Sequence, residues 1–340
     1  MGDGGEGAPS SRAPLYTGLR PLRTFCMLSI VAYHTSWSLE KEPDPLLGVS
    51  FGLTTLQVVL CALVARGSRE PVLSTFVQRR ARRLLRPWIL WSALYIGLQI
   101  LQSIQLGNEW SDRLVPSRWL RGGSFHLWFL PYGFAASLLA LLATRACRGH
   151  LAARGACIAS MLGALLLLLA QVSASFLQPS PPLDLWLDGL PAVAFGVAIG
   201  RALSIRELPR QRALLAGIAA VSLLPLLLGS YLVPSSHLWP GYAIAVPLAC
   251  LGFSIPFPEF RVLTWLAGVN MGVYLVHIIA LHLVDRVEWL LGASDLLRVI
   301  AVYLLSVALV SLPPLLLKRL RGQISVRIRS TLATPRPSSP

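Results

Sequence analysis

Charged residues are scarce in this chain: only 13% of its 340 residues are Asp, Glu, Lys or Arg, against roughly 25% in soluble domains. Hydrophobic residues make up 54%, so there is too little polar surface to cover a water-soluble globule. Long polar segments are missing as well. The longest stretches between apolar runs, at 66–86 and 107–126, hold about 20 residues each, fewer than a domain with its own core requires. Functional groups must therefore sit on the apolar segments and their short connections. The cysteines, Cys26, Cys61, Cys147, Cys157 and Cys250, show no metal-ligand spacing and read as free thiols, with no metal expected. The first apolar run lacks a small-residue cleavage site and is expected to stay attached. No internal repeat is visible, which weighs against an inverted-repeat transporter.

The chain does have apolar runs, ten of them, at about 24–39, 46–65, 87–106, 127–144, 155–176, 184–200, 213–233, 238–256, 262–284 and 297–317. Each approaches the roughly 20 residues a helix needs to cross a bilayer. The run at 238–256 is the weakest, because Pro240 and Pro247 interrupt it. The fold class that follows is all-α: a polytopic integral membrane protein of about ten transmembrane helices. Lys and Arg outnumber Asp and Glu 30 to 15, but the excess is placed by topology and does not point to nucleic acid. With both termini cytoplasmic, every basic residue falls inside except Lys41, Arg113, Arg118, Arg121, Arg286 and Arg298, as the positive-inside rule requires. Anionic headgroups of membrane lipids and anionic cytosolic ligands are the remaining partners for this charge. Residues 1–19, rich in Gly, Ser, Pro and Ala, and the basic Pro/Ser-rich stretch 321–340 cannot build a core and are expected to be cytoplasmic tails around a membrane domain at 20–320.

Ionisable groups within the apolar runs carry the functional signal, since each costs about 3 kcal/mol or more at mid-bilayer. Arg23 and His34 are separated by eleven steps of 100°, about three full turns, so they share one helix face about 16 Å apart. A snorkelling arginine and an interfacial histidine would give the same pattern. The loop after the second run reads Arg79-Arg80-Ala81-Arg82-Arg83-Leu84-Leu85-Arg86-Pro87-Trp88. Its guanidinium groups suit capture of phosphate, and a plain topological anchor is the alternative. His126-Leu127-Trp128-Phe129-Leu130 introduces the fourth run. In the ninth, Asn270, Tyr274 and His277 recur at i, i+4 and i+7, hence on one face. The topology puts His34, His126 and His277 near one membrane surface.

These elements, in this order, resemble the acyltransferase 3 family of membrane O-acyltransferases over residues 18–318. The family's Arg, ten residues, then His is matched by Arg23 and His34. Its basic element is similar to Arg79–Trp88, its His-Leu-Trp-Phe-Leu to residues 126–130, and its Gly-Ile-Tyr-Leu-Ile-His to Gly272-Val273-Tyr274-Leu275-Val276-His277. Two departures stand out: Arg20 where the family often has Asp, and Cys61-Ala62 where it has Ser-Gly. The resemblance implies a transferase of the inner (plasma) membrane that takes an acyl group, most often acetyl, from cytosolic acyl-CoA. The acceptor is a hydroxyl of an extracytoplasmic carbohydrate or glycolipid, as in O-acetylation of cell-envelope polysaccharide. His34, His126, Tyr274 and His277 are then the expected catalytic group, and Arg23, Arg79, Arg80 and Arg83 hold the acetyl-CoA donor. A secondary transporter or exporter of a glycan or small molecule would share the span count but not the CoA dependence.

Overall fold

A computed structural model of the protein describes residues 16–37, 51–67, 72–109, 123–147, 152–176, 182–225, 227–228, 238–287 and 294–312, with isolated positions at 111, 115 and 119. The stretches expected to be tails lie outside these residues, except that Tyr16–Gly18 form a turn and Leu19 opens the first helix. Among the described residues the regular structure is entirely helical. The elements are α1 (Leu19–Trp37), α2 (Phe51–Arg66), α3 (Leu73–Arg80), a π-helical turn (Ala81–Leu85), α4 (Arg86–Gln105), α5 (Phe129–Ala146), α6 (Ala152–Phe176), α7 (Leu183–Ala202), α8 (Leu208–Val221), α9 (Leu238–Ser254), α10 (Arg261–Asp285) and α11 (Asp295–Leu312). Among the described residues, six helices are long and apolar enough to cross a membrane: the continuous Leu73–Gln105, α5, residues Ala152–Ser173 of α6, α7, α10 and α11. The outward faces of α4 (Leu90, Leu94, Leu98, Leu101) and α6 (Ile158, Met161, Leu165, Leu169) leave large apolar side chains uncovered. Contiguous apolar surface of this kind needs hydrocarbon as solvent, and the chain is a multi-pass membrane protein.

Small residues set the packing at the centre. Gly196 and Gly200 of α7 face α2 so closely that a Cβ would stand 2.4 Å from Cys61 Cβ at the first and 2.6 Å from Ala65 Cβ at the second. This small-xxx-small stripe lets two backbones approach where no hydrophobic effect drives them together. Cys61 and Ala62, which replace the family's Ser-Gly, are fully buried in the same contact, so two small side chains keep the seam closed. α1 packs between α2 and α10.

Prolines shape two helices. α9 runs unbroken through Pro247, and Pro240 falls in its first turn, where a missing N–H breaks no intrahelical bond. α7 carries Pro191 internally. There the backbone is tied by tyrosines from neighbouring helices: Tyr242 Oη accepts from Ala192 N–H (3.2 Å) and donates to Asp188 O (2.7 Å), while Tyr132 Oη donates to Gly189 O. The hydroxyl of Tyr242 is thus inserted where an i→i+4 bond would run, one of the ordinary causes of a helix kink.

Candidate active site

His34, near the C-terminal end of α1, meets two other imidazoles. Its ring stacks on His277 of α10 with centroids 5.1 Å apart and lies 6.3 Å from His126, which is 4.9 Å from His277. Three residues remote in sequence therefore form one cluster. His126 and His277 are almost wholly buried, at 2% and 0% exposure, while His34 is half-buried.

The surrounding backbone holds each ring. His126 lies in the turn before α5, which begins at Gly123 with φ 68°. That angle suits glycine, and a Cβ there would also press 2.8 Å against Ser92 O. Gln99 of α4 pins the turn by donating to Gly123 O at 2.6 Å. Within the turn, Ser124 Oγ meets His126 Nδ1 at 2.8 Å, and the Tyr274 hydroxyl donates to the His126 carbonyl. His277 Nδ1–H donates to Tyr274 O at 2.7 Å, so its Nε2 keeps a lone pair. Among the described residues, His34 Nδ1, His126 Nε2 and His277 Nε2 are left without hydrogen-bond partners. Buried orphans of this kind are rare and call for a ligand or a catalytic role. Burial foremost, then the neighbouring imidazoles, holds the pKa of His126 well below the ordinary imidazole value. Among the described residues no His, Cys, Asp or Glu group is arranged to hold a metal ion.

A cavity of about 320 Å³ opens against this cluster, lined by His34, His126, Tyr274, Thr54, Gln57 and Asp188, among others. Sequence reasoning missed Gln57, Asp188 and Tyr242. Asp188 carried the same signal that exposed His34, an ionisable side chain inside an apolar run. Gln57 is 3% exposed in the middle of α2 and was legible by the same rule for polar groups. Asn270 shares a helix with Tyr274 and His277, but among the described residues its side-chain amide makes no bond to the cluster or to any other partner.

The arginines gather at the other end of the α1–α2 pair. Arg79, Arg80 and Arg83 line a cavity of about 290 Å³ with Phe76, Leu63 and Gly67. The Arg80 guanidinium lies 5.3 Å over the Phe76 ring. The π turn between α3 and α4 carries Arg82 and Arg83, with Arg86 N–H reaching back five residues to Ala81 O. Pro87 follows directly. It has no N–H, and its ring clashes with the carbonyl four residues earlier, that of Arg83, so the helix widens where the arginines are displayed. Arg23, half-buried on α1, feels the charge of Arg83, which puts it at this end and not among the imidazoles. Arg20, at the position where the family often has Asp, pairs with Glu259 at 2.7 Å and donates to Thr264 at 3.2 Å, latching α1 to the start of α10.

Neither a curated protein nor a solved structure matches the chain significantly. A family model does: the acyltransferase domain Acyl_transf_3 matches residues 17–313, nearly the whole described bundle. The chain belongs to the acyltransferase 3 family.

Proposed function

We propose that the protein transfers an acyl group, acetyl foremost, from cytosolic acyl-CoA to a hydroxyl of a glycan or glycolipid on the outer side of the inner (plasma) membrane. It would cross that membrane about ten times with both termini in the cytoplasm. The observation that carries this reading is the placement of two unlike sites at opposite ends of one helix. Thr54 of α2 lines the imidazole cavity and Leu63 of α2 lines the arginine cavity. Nine residues separate them, about 14 Å of helix rise. That distance suits the pantetheine arm of CoA, with its pyrophosphate on Arg79, Arg80 and Arg83 and its thioester carbonyl at the imidazoles. Arg23, one helix face below His34, would flank the same path.

In the reaction, the acceptor hydroxyl loses its proton to His34 as its oxygen attacks the thioester carbonyl carbon. The carbonyl π electrons move to oxygen, and the negative charge meets His126 Nε2–H, the tautomer that results when Ser124 donates to Nδ1. Collapse of the intermediate breaks the C–S bond. The proton on His34 then passes to the departing thiolate, giving free CoA and an ester. His277 fixes the His34 ring by stacking on it, and Tyr274 holds His126 in place through its carbonyl. Thr54, Gln57 and Asp188 offer donors and acceptors to a polyhydroxylated acceptor.

The test uses the purified protein in proteoliposomes with acetyl-labelled acetyl-CoA on the side of the arginine cavity and an envelope glycan fraction on the other. Label should pass to the glycan only in that arrangement. Reporter fusions after Leu85, Arg210 or Arg321 should report cytoplasm, and fusions within 107–125 or 286–296 the outside. Absence of transfer from acetyl-CoA, or an inverted result at two or more fusion sites, would defeat the two-sided reading.

A further inference from the structure

We propose that a second, larger basic cavity at the arginine end binds the adenosine 3′,5′-bisphosphate half of the donor; this rests on the acyl-CoA reading above. The cavity measures about 880 Å³ and is lined by Arg66, Arg206 and Arg212, with Tyr16, Gln211 and Phe253 among its other walls. None of its described lining residues is a carboxylate. Three guanidinium groups around one space repel each other, and an anionic occupant relieves that repulsion. Its volume lies within the range of small-molecule sites, about 300–1,000 Å³.

Basic charge alone would fit a topological anchor or an anionic lipid headgroup. The aromatic wall argues for a nucleotide. The Arg66 guanidinium lies 4.3 Å over the Tyr16 ring, and Tyr16 meets Phe253 edge-on at 5.1 Å. Tyr16 has φ 74°, in the left-handed region that bulky residues avoid. Strain of this kind persists only where the surroundings fix it, and it concentrates at ligand sites. Here the Leu19 N–H to Tyr16 O turn, at 3.1 Å, holds the ring in the wall. A cation stacked on an aromatic ring presents a platform for a planar base, and the remaining arginines suit bidentate capture of phosphate.

The cavity is also continuous with the donor path. Leu63 and Gly67 line both it and the space bounded by Arg79, Arg80 and Arg83. An extended CoA could therefore place its adenosine and 3′-phosphate in the larger cavity, with its pyrophosphate running from the 5′ position past the shared Leu63 and Gly67 to the arginines of the smaller one. From there the arm would turn toward His34. A phospholipid headgroup would use the charges but leave the aromatic platform empty.

The experiment measures binding of adenosine 3′,5′-bisphosphate to the full-length protein in nanodiscs of neutral lipid by calorimetry. It compares wild type with Arg206→Ala/Arg212→Ala, whose side chains are solvent-exposed and whose loss spares the packing. Wild type should bind saturably, and the double variant at least tenfold more weakly. In transfer assays the variant's preference for acetyl-CoA over acetyl-4′-phosphopantetheine, which lacks the adenosine end, should fall tenfold or more. Equal binding by both proteins would overturn the proposal, as would occupancy by phosphatidylglycerol in anionic discs without nucleotide binding in neutral ones. Transfer from acetyl-CoA with an unaltered donor preference would remove this site and leave the acyltransferase reading intact. Nucleotide binding that depends on the two arginines, without transfer in wild type, would keep the site and remove that reading.

Discussion

The two ends of the α1–α2 pair hold their functional groups in opposite ways. At one end three imidazoles are packed against each other and against Tyr95, Phe125 and Tyr274, with His126 and His277 fixed by hydrogen bonds to their surroundings. At the other, Arg79, Arg82 and Arg83 are exposed on a helix surface, and the cavities are open and basic. A desolvated, fixed site makes electrostatic interactions strong and costs little reorganisation during reaction. An exposed set of long side chains can follow a mobile anion and steer it in. The first arrangement suits bond making, the second capture, and each prediction below tests whether the two tasks are separate.

The largest effect is expected at His34. His34→Ala should lower the transfer rate by about 10²–10⁴, the span a general base contributes, while the folded protein survives because the side chain borders a cavity. His34→Gln is the finer probe. Glutamine hydrogen-bonds but does not take up a proton at neutral pH, so it should be as inactive as alanine, and a rate near wild type would reduce His34 to an interfacial residue. Transfer from labelled acetyl-CoA, corrected for the amount of folded protein, supplies the measurement. A smaller effect, and on a different constant, is expected at the open end. Arg80→Ala/Arg83→Ala should raise the KM for acetyl-CoA tenfold or more, since a charge-assisted contact contributes about 1.5–3 kcal/mol, with kcat largely retained. If kcat fell as steeply as in the His34 variants, capture and chemistry would not be separable.

Hydropathy made the helices legible because lipid imposes a length and a polarity on each one. The apolar runs fall on α1, α2, α4 and α5 to α11 within the described residues. The imidazole cluster was legible for a related reason: a polar group in hydrocarbon needs a partner, and the shared surface for His34, His126 and His277 followed from topology. Other features depend on contacts that no local pattern encodes. Tyr242 looks like any aromatic in an apolar run, and only its insertion at Asp188 and Ala192 reveals a task. Pro191 and Pro247 are alike in sequence, yet the first lies where tyrosines from α5 and α9 take up the backbone groups around it. The larger basic cavity escaped notice because Tyr16, Arg66 and Arg212 belong to three segments that only the packed bundle brings together.

The smallest predicted effect lies at Tyr274, and it tests how far the closed end depends on its positioning bonds. The Tyr274 hydroxyl donates to the His126 carbonyl, and the ring packs on His126 and Phe129 with centroids 5.6 and 5.8 Å away. Phenylalanine keeps the ring, and it also keeps the backbone carbonyl that accepts from His277 Nδ1–H. Tyr274→Phe therefore removes one hydrogen bond and leaves the His126 carbonyl without that donor, a change of about 1–3 kcal/mol. The cost should fall on the orientation of His126, so kcat should drop several-fold. The KM for acetyl-CoA should stay within about twofold, because the arginine cavity proposed to hold the donor lies about 14 Å away along α2. Steady-state kinetics over a range of acetyl-CoA concentrations separates the two constants, and thermal unfolding in detergent reports whether packing survived. A donor KM that rose with the loss of kcat would show the closed end reaching into donor capture, and the division between fixed chemistry and open recognition would not hold.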